Sequence, residues 1–309
     1  MTVLAIHHVH FESPDLARAE AFAQDFGLIT VTRDDKRLIM RTQGGDSFAY
    51  VVDAAPASRF VGFALDAEPG DLDAAVAGLG ATPRRRLDTP GGGEGVTLVD
   101  PNGFEVSLVT GIARRTPEAS VTALRLNGPA DRIRHGESQH VRDLGPPTLF
   151  RLGHIGLFVR SFAETAAWYE RTLAMIGSDV YHVPGQPAHK VVGFYRLNRG
   201  NDWVDHHTIA LMQRDTPDCH HISFEAHDFE AQFVAHRWLK SQGHESIWGV
   251  GRHPHGSHVF DVWRSPDGTR FETFSDTDLL TAGRPTRVHD IRDVQMDIWS
   301  SDPPDRYFA

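Results

Sequence analysis

Three residues in the second half of the chain are of the types that bind a divalent metal: His154, His221 and Glu272. Each falls on a segment that reads as a strand, and each occupies the corresponding place of its own unit once the chain is divided into repeats. Two imidazoles and one carboxylate leave coordination positions open for substrate and O2. That donor set favours non-haem Fe(II) and is also compatible with Mn(II). A lone strand histidine is more often a packed residue than a ligand. Three such residues at matched places of a duplicated plan are much harder to explain by chance. His220 is adjacent to His221 and so faces the other way on a strand. His221 is preferred because the residues after it match the strand following Phe60, with Phe224 over Phe63. A register slip of one would exchange the pair.

The 19 histidines are concentrated in the second half. His206-His207-Thr208-Ile209-Ala210-Leu211 reads as a strand. His253, His255 and His258 punctuate a Gly-rich stretch, Gly249 to Gly256, that leads into Val259–Trp263. For His207 and His253 a functional reading is favoured, because imidazole titrates near neutrality and can move protons and stabilise bound oxygen. For any one of His206, His255 and His258, an exposed loop histidine and a site residue are equally good readings. Trp203, Phe260 and Trp263 are candidates for an aromatic pocket, although aromatic residues at strand positions more often belong to the core.

The elements that must position these groups come as repeats. His8-Val9-His10-Phe11 alternates like a strand, and Ser13-Pro14-Asp15 then opens a helix whose apolar face is Leu16, Ala19, Phe22, Ala23 and Phe26, ended by Gly27. The plan recurs at His154–Val159, with Ser161 to Glu164 as a capping box, an apolar face of Phe162, Ala166, Tyr169, Leu173 and Ile176, and Gly177 as the stop. A second unit also appears twice. Arg59–Ala64 precedes a helix around 71–79 and a turn at Asp100-Pro101-Asn102-Gly103; His220–Glu225 precedes a helix at 229–241 and a turn at Ser265-Pro266-Asp267-Gly268. The expected fold is α+β, four βαβββ modules in two tandem domains, each a curved mixed sheet around a cavity. The boundaries read as 1–113 for a domain without a metal site, 114–149 for a connector, 150–282 for a catalytic domain and 283–309 for a tail. In the first half only His8 has a ligand type: Phe60 is matched to His221, Ser107 to Glu272, and Glu105 to Arg270.

A net charge of −10 argues against nucleic acid as a partner. No apolar run approaches the roughly 20 residues needed to span a membrane. The opening residues read as a strand without a charged leader, so no signal peptide is expected. The single cysteine, Cys219, fits a reducing cytosol, which also keeps iron ferrous. Exposed sheet edges in this plan point to a homo-oligomer.

At Gly153-His154-Ile155, His206 through Leu211, His220-His221-Ile222-Ser223-Phe224, Gly251-Arg252-His253 and Ser265-Pro266-Asp267-Gly268 through Phe271-Glu272, the chain resembles the type I extradiol ring-cleavage dioxygenases of the vicinal oxygen chelate superfamily. The resemblance spans roughly residues 1–280. It implies iron ligands at His154, His221 and Glu272, an oxygen-handling histidine at His207, and a substrate-contacting histidine at His253. It implies a catechol-type substrate, O2 as co-substrate, and cleavage of the ring bond outside the two hydroxyls. The family often has an active-site tyrosine where Val262 stands here, and His255 or His258 are the candidates to take its place. A metal-dependent isomerase or lyase resembling glyoxalases and a non-catalytic binding protein of the same superfamily are the rival readings.

Overall fold

The computed structural model describes residues 2–118, 125–136, 144–299 and 303–308. In chain order the first half comprises β1 (Val3–Ser13), α1 (Leu16–Asp25), β2 (Ile29–Arg33), β3 (Arg37–Arg41), β4 (Tyr50–Ala54), β5 (Arg59–Ala67), α2 (Pro69–Gly78), β6 (Arg85–Arg86), β7 (Glu94–Val99) and β8 (Glu105–Thr110). The second half comprises β9 (Leu149–Val159), α3 (Phe162–Leu173), β10 (Ile176–His182), β11 (Lys190–Arg196), β12 (Val204–Asp205), β13 (Ile209–Gln213), β14 (Asp218–Ala226), α4 (Phe229–Ser241), β15 (Glu245–Arg252), β16 (Val259–Arg264) and β17 (Arg270–Ser275). Short strands β18 (Leu279–Leu280) and β19 (Arg287–Asp290), and a final helix α5 (Asp305–Phe308), follow.

Two mixed sheets result, in two domains of α+β fold. The first runs β2-β3-β4-β1-β5-β8-β7-β6, the second β15-β16-β17-β14-β9-β13-β11-β10-β19. Each is built about a central antiparallel pair, β1 with β5 and β9 with β14, flanked on both sides by parallel partners. A parallel partner requires a crossover, which α1, α2, α3 and α4 help to supply. The caps are local: Asp15 accepts from Arg18 N and Ser161 from Glu164 N. One continuous apolar core joins the halves. Phe22 and Phe26 of α1 pack on Phe271, and Tyr169 of α3 stacks on Phe63 and donates to Asp100.

Several expectations need correction. α3 ends at Leu173, with Ala174 in the left-handed conformation, so Ile176 and Gly177 belong to β10. Residues 206–208 are not in a strand; they bridge β12 and β13. The strand before the histidine loop is longer than the glycines suggested, because β15 continues to Arg252. The repeat also aligns differently. His8 lies opposite Ala64 as His154 lies opposite Ser223, and Gly62 pairs with Glu105 as His221 pairs with Arg270. The true counterpart of His221 is therefore Gly62, two residues beyond Phe60. Any side chain at Gly62 would overlap the Glu105 carbonyl. The stretch assigned as tail supplies β19, paired with β10. The stretch assigned as connector lies partly outside the described residues.

Candidate metal centre

Register alone assembles the three candidate ligands. In the centre of the second sheet β14 lies between β9 and β17. Ser223 is opposite His154 on one side and beside Glu272 on the other, so these three form a row across the strands. His221 is two residues along from Ser223 and therefore on the same face. It is opposite Gly156, where a methyl group would overlap the imidazole. Glycine at that position lets the ring lie against β9. The donor atoms of His154, His221 and Glu272 lie within 4.8 Å of one another, and all three residues are buried. Ser223 Oγ donates to Glu272 Oε1 at 2.7 Å.

The donor set fits a divalent metal. His154 Nε2 is 3.1 Å from Glu272 Oε1 but buried without a hydrogen-bond partner. An unsatisfied buried nitrogen is costly in isolation and natural for a ligand. Burial pushes the His221 imidazole down to about 3, so the ring is neutral. Burial would raise the Glu272 pKa, but the His154 and His221 rings hold its carboxyl well below the usual range. Neutral imidazole and ionised carboxylate are the ligand forms. A second trio, His154, His207 and His258, also converges, but it lacks the negative charge that a carboxylate brings to a divalent ion.

Hydrogen bonds behind the site fix ring tautomers. A carbonyl oxygen only accepts, so His220 donates from Nε2 to Tyr307 O at 2.9 Å. In the neutral ring, Nδ1 of His220 then accepts from Nδ1–H of His221 at 2.7 Å, which leaves a lone pair on His221 Nε2. The same logic runs through His207. Asp179 has both carboxylate oxygens engaged, by His206 Nε2 at 2.6 Å, Arg287 at 2.7 Å and His289 Nε2 at 2.6 Å. Burial would raise its pKa, but these three partners hold it well below the usual carboxylate range. His206 therefore donates to Asp179, and its Nδ1 meets Nδ1 of His207 at 3.1 Å. Burial, reinforced by His154 and His206, pushes the His207 pKa well down. When the His206 ring is neutral, its Nδ1 accepts, so His207 carries its proton on Nδ1 and a lone pair on Nε2. Asp179, His255 and His289 also cluster, but the guanidinium of Arg287 already neutralises that carboxylate, and we read a hydrogen-bonded network rather than a metal site.

A cavity of about 520 Å³ opens onto these groups. It is lined by His154, His207, His221, Glu272, His253, His255 and His258 from the sequence-derived set. His253 donates from Nδ1 to Met296 O at 2.7 Å, leaving Nε2 as an acceptor. His255 Nδ1 is bonded to Tyr181 Oη at 2.5 Å, and His258 Nδ1 is buried without a partner. Four candidates from the sequence fall outside the lining. Trp203 is 69% exposed, held on a surface turn before β12. Phe260 is buried with its ring stacked on His253, behind the cavity wall. Val262 on β16 is paired with Glu272 on β17, on the same face, but is buried in one apolar cluster with Ile247, Trp248 and Tyr307. Trp263 lies in the core and donates to Asp261. Tyr181, Asp179 and Tyr307 escaped the sequence reading, since each is an isolated polar residue whose neighbours come from distant segments.

Comparison with known proteins agrees with this architecture. Residues 151–273 match the Glyoxalase/Bleomycin resistance protein/Dioxygenase superfamily. A curated relative, Metapyrocatechase 2 of Cupriavidus necator, is 27% identical, with 99% of this chain and 92% of the relative covered. Homoprotocatechuate 2,3-dioxygenase from Arthrobacter globiformis superposes with a TM-score of 0.79 at 19% identity, covering 100% of this chain and 91% of that one. The Mn(II)-bound glyoxalase from Novosphingobium aromaticivorans superposes with a TM-score of 0.78 at 22% identity, covering 99% and 94%. At these identities the solved structures establish the fold, and the match to the Glyoxalase/Bleomycin resistance protein/Dioxygenase superfamily covers residues 151–273.

Proposed function

We propose that the protein is an extradiol dioxygenase that opens a catechol-type ring with O2 at a single Fe(II) held by His154, His221 and Glu272. The observation that carries this reading is the buried two-histidine, one-carboxylate cluster with the unpartnered His154 Nε2, open to a largely apolar cavity. Mn(II) suits the same donors. The likeness to a metapyrocatechase over nearly the whole chain supports the choice of ring cleavage over the isomerase chemistry that the glyoxalase likeness would suggest. The proposed division is 1–113 without a metal, 114–149 connecting, 150–282 catalytic, and a tail from 283 to 309, of which Ile291, Val294, Gln295, Met296, Tyr307 and Phe308 line the cavity.

A metal bound here would lower the pKa of substrate hydroxyls and bring catechol and O2 together. The chain's own groups then have definite tasks. His207 Nε2, with its lone pair free, accepts a proton as the catechol ionises and returns it after the ring opens. Asp179, through His206, stabilises the imidazolium that forms in between. His253 Nε2 accepts a hydrogen bond or a second proton, and the Met296 carbonyl holds its ring in place. Apolar walls exclude water and strengthen every charge interaction inside.

The test is O2 consumption with a ring-fission absorbance scan, after anaerobic Fe(II) loading, against a panel of catechols. The expected result is Fe(II)-dependent uptake that disappears in Glu272→Ala together with the bound metal. Metal bound but no uptake with any catechol would favour an isomerase or lyase. No bound metal would favour a small-molecule binding protein.

A further inference from the structure

The C-terminal segment contributes a polar atom to the cavity that has no structural use. Tyr307 is 6% exposed and lines the same cavity as the candidate ligands. Its ring packs 4.8 Å from Trp248 and 4.8 Å from His220. The helix that carries it is clamped by main-chain bonds: Tyr307 O to His220, Arg306 O to Arg270, and Phe308 O to Arg214, while the Arg306 side chain donates to Ile247 O. Yet the phenol of Tyr307 has no hydrogen-bond partner among the described residues, and Glu272 is the charge that acts on it most strongly. The other phenol in the cavity, Tyr181, is committed to His255.

A hydroxyl on a cavity wall with no protein partner is free to bond a ligand that enters the cavity. Phenylalanine would pack equally well in this apolar cluster of Ile247, Trp248, Phe260 and Val262. We propose that the Tyr307 hydroxyl is a substrate-binding donor, hydrogen-bonding an oxygen of the catechol at the metal centre. This rests on the ring-cleavage reading above. The rest of the cavity indicates which catechols. Val191, Val192, Met212, Ile291, Val294 and Met296 form its walls. Arg214, the permanent cation in the lining, lies 4.7 Å over the Phe158 ring and donates to Phe308 O. The ring substituent facing these walls is therefore apolar and uncharged.

The deciding measurement is anaerobic calorimetry of 3-methylcatechol binding to Fe(II)-loaded protein, with metal content and melting temperature recorded alongside. A lost hydrogen bond to a charged oxygen predicts binding weakened by about tenfold in Tyr307→Phe, with metal content unchanged. 3,4-Dihydroxyphenylacetate should bind the wild type more weakly than 3-methylcatechol. Equal affinity of wild type and Tyr307→Phe for 3-methylcatechol would overturn the assignment of Tyr307 alone. Failure of the metal-loaded wild type to bind any catechol would overturn both this assignment and the ring-cleavage reading.

Discussion

In the proposed mechanism His207 acts as a base: burial holds its pKa well down, and its Nδ1 meets His206 Nδ1 at 3.1 Å, which leaves Nε2 for the reacting groups. Its position follows from contact, with its ring 4.3 Å from that of His154. Removing it takes away proton transfer and leaves the three candidate ligands in place. We expect His207→Ala to retain its metal and bind catechol, while turnover falls ~10²–10⁴-fold, the usual range for a lost general acid–base. Stopped-flow kinetics beside metal analysis is the check, and near-normal turnover would remove His207 from the mechanism. Residue types made this histidine a candidate. Asp179, which bonds its neighbour His206 from 27 positions earlier, could not be read as part of the site, since nothing local marks a carboxylate that will be buried against two histidines and an arginine.

At the scale of elements, the centre depends on how β9, β14 and β17 align rather than on any loop. Gly156 is the point of that alignment that bears on a candidate ligand, since a Cβ there would collide with the His221 ring. Gly156→Ala should displace the imidazole and weaken metal binding ~10–100-fold, comparable to losing a group that orients a ligand. Chelator competition measures this, and unchanged affinity would argue that His221 is not a ligand. The strand bearing His154, the strand bearing His221 and the helix after each were legible from alternation and caps. Their register was not. Matching Phe224 to Phe63 put Phe60 where the structure has Gly62, because side-chain type along a strand does not fix which residues pair across the sheet.

For the whole molecule, the buried histidines make stability depend on pH. Burial, with Arg114 nearby, lowers His7 from 6.5 to about 4, and burial also pushes His8, His220 and His258 well down. Below pH 6.5 the unfolded chain binds protons that the folded one refuses, so unfolding free energy rises with pH across this window. Their contribution is complete above the unfolded value and is lost as pH falls towards the folded values, by up to ~1.4 kcal/mol per pH unit for each histidine. Melting temperatures of the metal-free protein should therefore fall steadily between about pH 7 and pH 5. His7→Gln should make that slope shallower. A melting temperature flat over this range would mean the histidines are not buried as described.

Local chemistry was what the sequence determined by itself. Donor types, strand alternation, helix caps and the internal repeat are properties of short windows, and they sufficed to nominate His154, His221, Glu272, His207 and His253. The tertiary structure decided which groups meet. It turned Trp203 to solvent, buried Val262 in a cluster with Tyr307, and brought Ile291, Val294, Met296 and Tyr307 back to wall the cavity. Those outcomes depend on burial and on contacts between residues far apart in the chain. No periodicity records them, because the free energy that fixes them arises only when distant surfaces exclude water together.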